Sequence, residues 1–355
     1  MKRVLFFLQN GVGGSERMTI NIANLLQGSM CDIIICKINT PYKIQNGSID
    51  NFIPQNLKKT NISNNGKLSF LQQLCYVIKL LKPNIVFCSV MPYNIRLLLI
   101  APFFKNIQFI VRNDNNLLTL NKYKRILLKF TYRNAAKIIA QTEEMRNELI
   151  NIGLNSNKVI TLHNFIDIDL INKKIAEASP FPNDGKVRFV SVGRVADQKG
   201  YDILIKAFKI VLNYIPNAEL YIVGDIDVNG GRTFGELQDL VKMSNLQEKV
   251  FFTGYTNNPY IFIKNASVYV LSSRYEGLPN TLVEALYLNI PAAATKCIPI
   301  ISRMIQDGEN GYLAESENSG SLAQAMLHAL QIKKCKQIYH PSSKEDFLKI
   351  FEFEQ

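Results

Sequence analysis

The sequence predicts an α/β fold of two domains, each a parallel β-sheet covered on both faces by helices. Three observations point there. Short apolar runs rich in Val, Ile and Phe alternate with amphipathic stretches along the whole chain, as in strands buried on both faces and joined by crossover helices. The pattern extends over 355 residues, long for one compact core and comfortable for two. It is interrupted at the polar, proline-marked stretch Ser179-Pro180-Phe181-Pro182-Asn183-Asp184-Gly185, which reads as a boundary.

In the first half the predicted strands are Val4–Leu8, Ile33–Ile38, Ile85–Cys88, Phe109–Val111, Ile138–Ala140 and Val159–Leu162, with helical patterns at Met18–Leu26, Leu68–Leu81 and Ile126–Tyr132. The second half repeats the plan with strands Phe189–Val192, Leu220–Val223, Val250–Phe252, Val268–Leu271 and Ala292–Ala294, and helices Ile203–Leu212, Leu282–Leu288 and Leu322–Leu330. A last helix, Lys344 to Phe353, follows the start signal Pro341-Ser342-Ser343. The expected division is a first domain over 1–165, a linker over 166–186, a second domain over 187–340, and a C-terminal segment over 341–355 able to pack back on the first domain. Facing sheets of this kind make a cleft, and ligands sit beyond the carboxyl ends of the strands.

Composition narrows the function classes. With 47% of residues hydrophobic, global disorder is excluded. The apolar run Val4–Leu8 is too short for a signal peptide and is broken by Gln9 and Asn10; Leu97–Phe104 is too short to cross a bilayer. A cytoplasmic protein, soluble or peripheral on the inner face of the membrane, is expected. Cys31, Cys36, Cys75, Cys88, Cys297 and Cys335 form no CxxC pair, and the three histidines stand at no metal-ligand spacing. Buried thiols and no metal site are therefore expected.

Charge is uneven. Residues 1–165 carry 21 Lys and Arg against 7 Asp and Glu, a net +14, which leaves −2 for the rest. A basic half gathers phosphates or anionic headgroups. Within it, Asn121 to Arg133 reads as a basic amphipathic helix, and Lys122, Lys124, Arg125, Lys129 and Arg133 are candidates to meet an anionic membrane. The alternative is an ordinary sheet-covering helix with its Leu and Phe packed inward. No helix-turn-helix, zinc or RNP-type signature accompanies the charge, so nucleic acid is not an expected partner.

Three motifs carry chemistry. The first strand runs into Gly11-Val12-Gly13-Gly14-Ser15-Glu16 and then a helix, a loop whose amides can approach an anion. A dinucleotide fingerprint would need glycine where Glu16 stands. The second half opens with Val192-Gly193-Arg194, then Lys199-Gly200 at a helix start, two cations placed to neutralise a diphosphate. The most informative stretch runs from Ser272-Ser273-Arg274-Tyr275-Glu276-Gly277-Leu278-Pro279 into Asn280-Thr281-Leu282-Val283-Glu284-Ala285-Leu286. Here a turn leads into a helix whose first amides are open to an anion, and Glu276 and Glu284 can face one ligand. A carboxylate suits paired sugar hydroxyls.

In this combination and order, GGSE, GR…KG and E-x7-E within EGLPNTLVEAL resemble glycosyltransferase family 4, with support from His163-Asn164-Phe165-Ile166-Asp167 and Asp307-Gly308-Glu309-Asn310-Gly311. The resemblance covers nearly the whole chain. It implies a retaining enzyme of the GT-B fold, with two Rossmann-like domains facing a cleft. It implies a nucleotide diphosphate sugar as donor, a UDP-sugar foremost, with no metal or other cofactor. The acceptor implied is a glycan, lipid-linked or free, in bacterial surface polysaccharide assembly. Residue by residue, Arg194 and Lys199 would hold the distal phosphate, Glu284 the ribose hydroxyls and Glu276 the transferred sugar. Backbone from Leu278 through Asn280 and Thr281 to Leu282, with Gly13 and Gly14, would complete the donor pocket. Glu276, Arg194 and Lys199 are the expected catalytic groups.

The chain departs from the family pattern where histidines are frequent. Cys88-Ser89-Val90-Met91-Pro92-Tyr93-Asn94 and Arg112-Asn113-Asp114 have none, which leaves Asn94, Asn113 or Asp114 to orient the acceptor. The loop Thr295-Lys296-Cys297-Ile298-Pro299-Ile300-Ile301-Ser302-Arg303 lacks the usual glycines and carries a cation where acid is common. Two other functions stay open: a sugar-nucleotide epimerase or hydrolase on the same fold, and a non-catalytic membrane-associated partner of a glycosylation complex.

Overall fold

The computed structural model describes residues 2–10, 14–27, 31–39, 49–51, 53–63, 67–113, 117, 120–226 and 234–351. The chain divides into two compact units, Met1–Phe165 with Ser342–Gln355, and Ile166–Pro341.

In the first unit the elements are β1 (Lys2–Gln9), α1 (Gly14–Leu26), β2 (Cys31–Asn39), β3 (Lys58–Ser63), α2 (Lys67–Leu81), β4 (Ile85–Cys88), α3 (Met91–Ile100), β5 (Gln108–Asn113), α4 (Lys122–Tyr132), β6 (Lys137–Ala140), α5 (Glu143–Asn151) and β7 (Val159–Thr161). The strands form one sheet ordered β3-β2-β1-β4-β5-β6-β7, parallel throughout. β1 owes its place in the interior to the unbroken buried run Val4–Leu8. Side-chain caps start the later helices: Asn121 accepts from the Lys124 amide and Thr142 from the Met145 amide. Phe70, Leu74, Leu97, Leu128 and Leu149 share one core cluster, and Met18, Ile22 and Leu26 of α1 belong to another.

The second unit comprises α6 (Ile168–Lys174), β8 (Arg188–Val192), α7 (Tyr201–Leu212), β9 (Glu219–Val223), α8 (Phe234–Met243), β10 (Val250–Gly254), α9 (Pro259–Lys264), β11 (Val268–Leu271), α10 (Asn280–Tyr287), β12 (Ala292–Thr295), α11 (Ile301–Met304), β13 (Gly311–Ala314) and α12 (Ser319–Ala329). Its sheet is ordered β10-β9-β8-β11-β12-β13 and parallel. The expected linker over 166–186 is structured in part. Asp167 caps α6 by accepting from the Leu170 amide, and Ile171 and Phe181 are buried in the second unit's core. Phe181 packs edge-on against Phe262, with the Arg188 guanidinium 4.9 Å from its ring centre. The two apolar side chains fold this stretch onto the second unit, because leaving them in water would forfeit their burial.

The last helix, α13 (Lys344–Phe351), joins the first unit. Phe347, Ile350 and Phe351 are buried in the cluster that holds α1, with Phe347 edge-on to Phe165. Both sheets have a switch point where the strand order reverses. In the second unit β8 is flanked by β9 and β11, so the loops leaving β8 and β11 emerge side by side. A ligand is received at such a crevice.

Candidate active site

The loop after β8 passes Gly193 and Arg194 and enters a 3-10 turn, Asp197–Lys199, before α7. Gly200 makes the change of direction in the left-handed region, at φ 61°. A Cβ there would lie 2.2 Å from the Ser272 carbonyl oxygen, so both backbone angle and space demand glycine. The Lys199 stem crosses Gly193 so closely that a Cβ on that glycine would meet Lys199 Cε at 3.0 Å.

This turn delivers Lys199 to Glu276. The ammonium lies 2.7 Å from Glu276 Oε1, with the carboxylate side chain 8% exposed and the lysine 20%. Ser273 Oγ donates to the same Oε1 at 2.7 Å. Thr295 Oγ1, at the end of β12, donates to the Ser273 carbonyl at 2.7 Å, so the loops after β8 and β11 meet at one carboxylate and the end of β12 supports them from behind. Ser272 Oγ donates to the Lys199 carbonyl at 2.7 Å.

α10 begins at Asn280, directly beyond. Its cap position is Pro279, which has no side-chain cap, and Leu282 and Val283 are the first residues whose amides bond back, to the Pro279 carbonyl. The amides that open a helix have no partner within it. Leu278 and Leu282 are buried in the core, and the Leu282 amide, expected to be open to an anion, is spent on the Pro279 carbonyl at 3.0 Å. Thr281 Oγ1 accepts from the buried Tyr269 hydroxyl at 2.6 Å. Burial raises the Tyr269 phenol, and Tyr201 and the charges of Glu276 and Glu284 add to it. Burial likewise raises Tyr201, with Glu276 contributing, and pushes the Cys297 thiol up to about 12, again with Glu276 contributing. Cys297 is thus a neutral thiol at the rim of the site. Arg194 is exposed, one residue beyond the Gly193 that the Lys199 stem crosses.

The second unit thus joins Lys199 to Glu276, with Thr281 and Glu284 on the helix that follows and Arg194 on the same loop as Lys199. Sequence reading left Ser273, Tyr201, Tyr269 and Thr295 without a role. Ser273 stood inside the informative motif; the tyrosines carried no local signal beyond their strand and helix patterns. Of the two cations in the glycine-free loop, Lys296 pairs with Glu315 at 2.8 Å and Arg303 is exposed on α11.

In the first unit the outcome differs. Gly14 is the exposed first residue of α1, and Gly13 and Asp114 lie outside the described residues. Asn94 was expected to orient an acceptor. Instead it is fully buried, and its Nδ2 donates to the Arg112 carbonyl at 3.0 Å and the Tyr132 hydroxyl at 3.1 Å. It fastens α3 to β5 and α4, because a buried amide must spend its donors internally. Asn113 is also fully buried, at the end of β5. Among the described residues, no group of three His, Cys, Asp or Glu gathers.

The family model for Glycosyltransferase Family 4 matches residues 12–170, and that for Glycosyl transferases group 1 matches residues 172–345. The chain belongs to this family. It is a glycosyltransferase with the two parallel-sheet Rossmann-like units of the GT-B fold. An uncharacterized glycosyltransferase of Methanocaldococcus jannaschii is 34% identical over 62% of this chain and 57% of its own length, so the chain spans little more than half of that relative. A Campylobacter jejuni enzyme, N-acetylgalactosamine-N,N'-diacetylbacillosaminyl-diphospho-undecaprenol 4-alpha-N-acetylgalactosaminyltransferase, is 26% identical over 96% of this chain and 93% of its own. Anabaena HepE, solved with UDP and glucose, superposes with a TM-score of 0.78 at 18% identity, covering 94% of this chain and 90% of that one; that likeness concerns the fold. No helix among the described residues is long and apolar enough to cross a membrane.

Proposed function

We propose that this glycosyltransferase moves a sugar, with retention, from a nucleotide diphosphate sugar to a lipid-linked glycan during bacterial surface polysaccharide assembly, with a UDP-sugar the foremost donor. The observation that carries the reading is the Lys199–Glu276 pair at the adjacent ends of β8 and β11, beside the uncapped start of α10. An ammonium has three donors, of which Glu276 takes one; the remaining two are offered to phosphate oxygens. Glu276 receives both of its described hydrogen bonds on Oε1, and Oε2 is the oxygen offered to a sugar hydroxyl. Glu284, one turn into α10, takes the ribose hydroxyls. Arg194 adds a planar fork suited to a diphosphate.

The chemical demand of such a transfer is an oxocarbenium-like transition state and negative charge growing on the departing diphosphate. Fixed positive groups at that position lower the barrier because they need not reorganise as charge develops. Lys199, Arg194 and the α10 amides fill that role in this reading. The Campylobacter relative, whose name gives a diphospho-undecaprenol acceptor, supports a lipid-linked acceptor, and HepE with UDP and glucose supports a UDP-sugar.

The membrane side of the reading rests on α4. Tyr123, Ile126, Leu127 and Phe130 are 82, 57, 43 and 64% exposed. They stand at i, i+3, i+4 and i+7, one helical face. Leu128, Thr131 and Tyr132 do the inward packing. The row faces outward, against the ordinary arrangement, with Lys122, Lys124, Arg125, Lys129 and Arg133 on the same helix or at its end and no acid in it. An interfacial helix has this composition.

The test is nucleotide release from a panel of sugar donors with and without glycan acceptor, with Arg194→Ala and Glu284→Ala as controls. Acceptor-dependent release abolished by either substitution is expected. Turnover indifferent to both would overturn the site. Release or rearrangement of sugar without acceptor would instead favour an epimerase or hydrolase.

A further inference from the structure

Lys199 and Glu276 lie on different loops, and something must hold those loops in register while a charged ligand enters. We infer that Arg274 is the positioning residue that braces the donor site, tying the loops after β8, β11 and β13 into one rigid unit; the inference rests on the reading of Lys199 and Glu276 as donor-binding groups.

All three nitrogens of the Arg274 guanidinium are engaged by neighbouring protein groups. Nη1 donates to the Asp197 carbonyl at 2.7 Å, in the 3-10 turn that carries Lys199. Nη1 and Nη2 meet the two oxygens of Asp202, in the first turn of α7, at 3.0 and 3.1 Å. Nε lies 2.8 Å from Glu317 Oε1, in the loop after β13. The backbone repeats the link: the Arg274 amide donates to the Gln198 carbonyl at 2.8 Å, and Gln198 Nε2 donates to the Tyr275 carbonyl at 2.9 Å. The residues thus fastened are the immediate neighbours of the functional pair, Gln198 beside Lys199 and Tyr275 beside Glu276.

Two features argue for this arrangement over an incidental surface cluster. The Arg274–Asp202 contact is a two-toothed fork with Asp202 7% exposed, the geometry in which arginine is not replaceable by lysine. Glu317, the third anchor, stands in the left-handed region at φ 57°, where a residue bearing a side chain is strained. A strained residue persists where surrounding contacts hold it, and its carboxylate is held by Arg274.

The test compares Arg274→Gln, Arg274→Lys and Glu317→Gly, each assayed well below its own melting temperature, with Lys199→Met and Glu276→Gln in parallel. A merely less stable enzyme loses active molecules, and so maximal rate, at unchanged KM. A loosened site also shifts donor KM. For Arg274→Gln the expected result is a loss of about tenfold to about a hundredfold in kcat/KM, with donor KM raised and acceptor KM unchanged. Arg274→Lys restores the charge without the fork and is expected to stay impaired. Glu317→Gly relieves the backbone strain, so its melting temperature is expected to hold or rise while donor KM still rises, the opposite of what a purely structural role gives. Wild-type donor KM in Arg274→Gln, with Lys199→Met and Glu276→Gln inactive, would overturn the brace. Full activity in those last two would overturn the site reading and the brace with it.

Discussion

Lys199 Nζ and Glu276 Oε1 lie 2.7 Å apart although 77 residues separate them in the chain. The contact depends on β8 and β11 being neighbours in the sheet, so the fold places a cation and an acid together where phosphate and sugar meet in the proposed donor complex. Each is expected to be worth about a hundredfold or more in kcat/KM, the size of effect of removing a preorganised charge partner in an enzyme site. Because each orients the other, the Lys199→Met, Glu276→Gln double variant is expected to be little worse than the weaker single variant. Additive losses, read by steady-state kinetics on all three proteins, would mean that the two groups act independently.

Gly200 offers a stability test of the same corner. Alanine there must accept a left-handed backbone and a Cβ 2.2 Å from the Ser272 carbonyl, and that contact cannot be relieved by a rotamer change. The expected cost is about 2 to 4 kcal/mol in denaturant unfolding, together with lost activity, because the β8 and β11 loops part. An alanine variant of wild-type stability would show that the loops adjust freely.

These two cases show what was legible in the sequence. Gly200 and Lys199 were readable because their chemistry is local: a turn, then a helix start. The strands were readable where both faces are buried, as in Val4–Leu8 and Val268–Leu271. β3, Lys-Lys-Thr-Asn-Ile-Ser, escaped notice because an edge strand is polar on its open side, where charge discourages further pairing. The short α9 was likewise missed, since six residues show no helical period. Asn94 was misassigned because a polar residue after a strand looks the same in sequence whether it faces a ligand or a buried carbonyl. Arg274 stood in the motif unremarked, since its partners Asp197, Asp202 and Glu317 are distant in the chain and each alone resembles a surface charge.

The outward row on α4 makes membrane binding separable from folding. Ile126→Ser with Phe130→Ser removes two exposed apolar side chains, so stability is expected to stay within about 0.5 kcal/mol. Binding to vesicles containing anionic lipid is expected to fall by tenfold or more, as burial of such a side chain contributes about 1.5 to 3 kcal/mol. Lys122→Glu with Lys124→Glu is expected to remove about 1 kcal/mol per cation, a loss masked at high salt. Co-sedimentation at two ionic strengths separates the contributions. Unchanged binding in the serine variant would mean that the row does not enter the lipid.

α13 supplies a core residue to the first unit from the far end of the chain. Phe347 is fully buried and edge-on to Phe165, with ring centres 5.2 Å apart. Phe347→Ala is expected to cost about 3 to 5 kcal/mol. The loss should appear in the amide exchange of the first unit's strands, with the second unit's core protected as before. Equal loss of protection in both units would show that they unfold as one.

Acid sensitivity is expected to centre on the start of β9. Glu219, 6% exposed at its side chain, lies 2.6 Å from Lys186 Nζ and 3.3 Å from Arg188 Nε, and accepts from the Tyr221 hydroxyl at 2.9 Å. Burial pushes its carboxyl up, but the bonds from Lys186 and Tyr221 and the nearby positive charges outweigh burial and hold it below the ordinary carboxylate range. Asp184 beside Arg188 shows the same balance. A carboxylate lowered in the folded state binds fewer protons there than in the unfolded chain. Its contribution is therefore complete above the unfolded value, about 4, and disappears as pH falls through the lower folded value. The melting temperature should fall as pH drops below about 5, and Glu219→Gln should be less stable near neutrality yet lose less on acidification. A glutamine variant with the wild-type acid slope would place the sensitivity in another carboxylate, of which Asp32, held low by its bonds from Lys58 and Arg3, is the next to test.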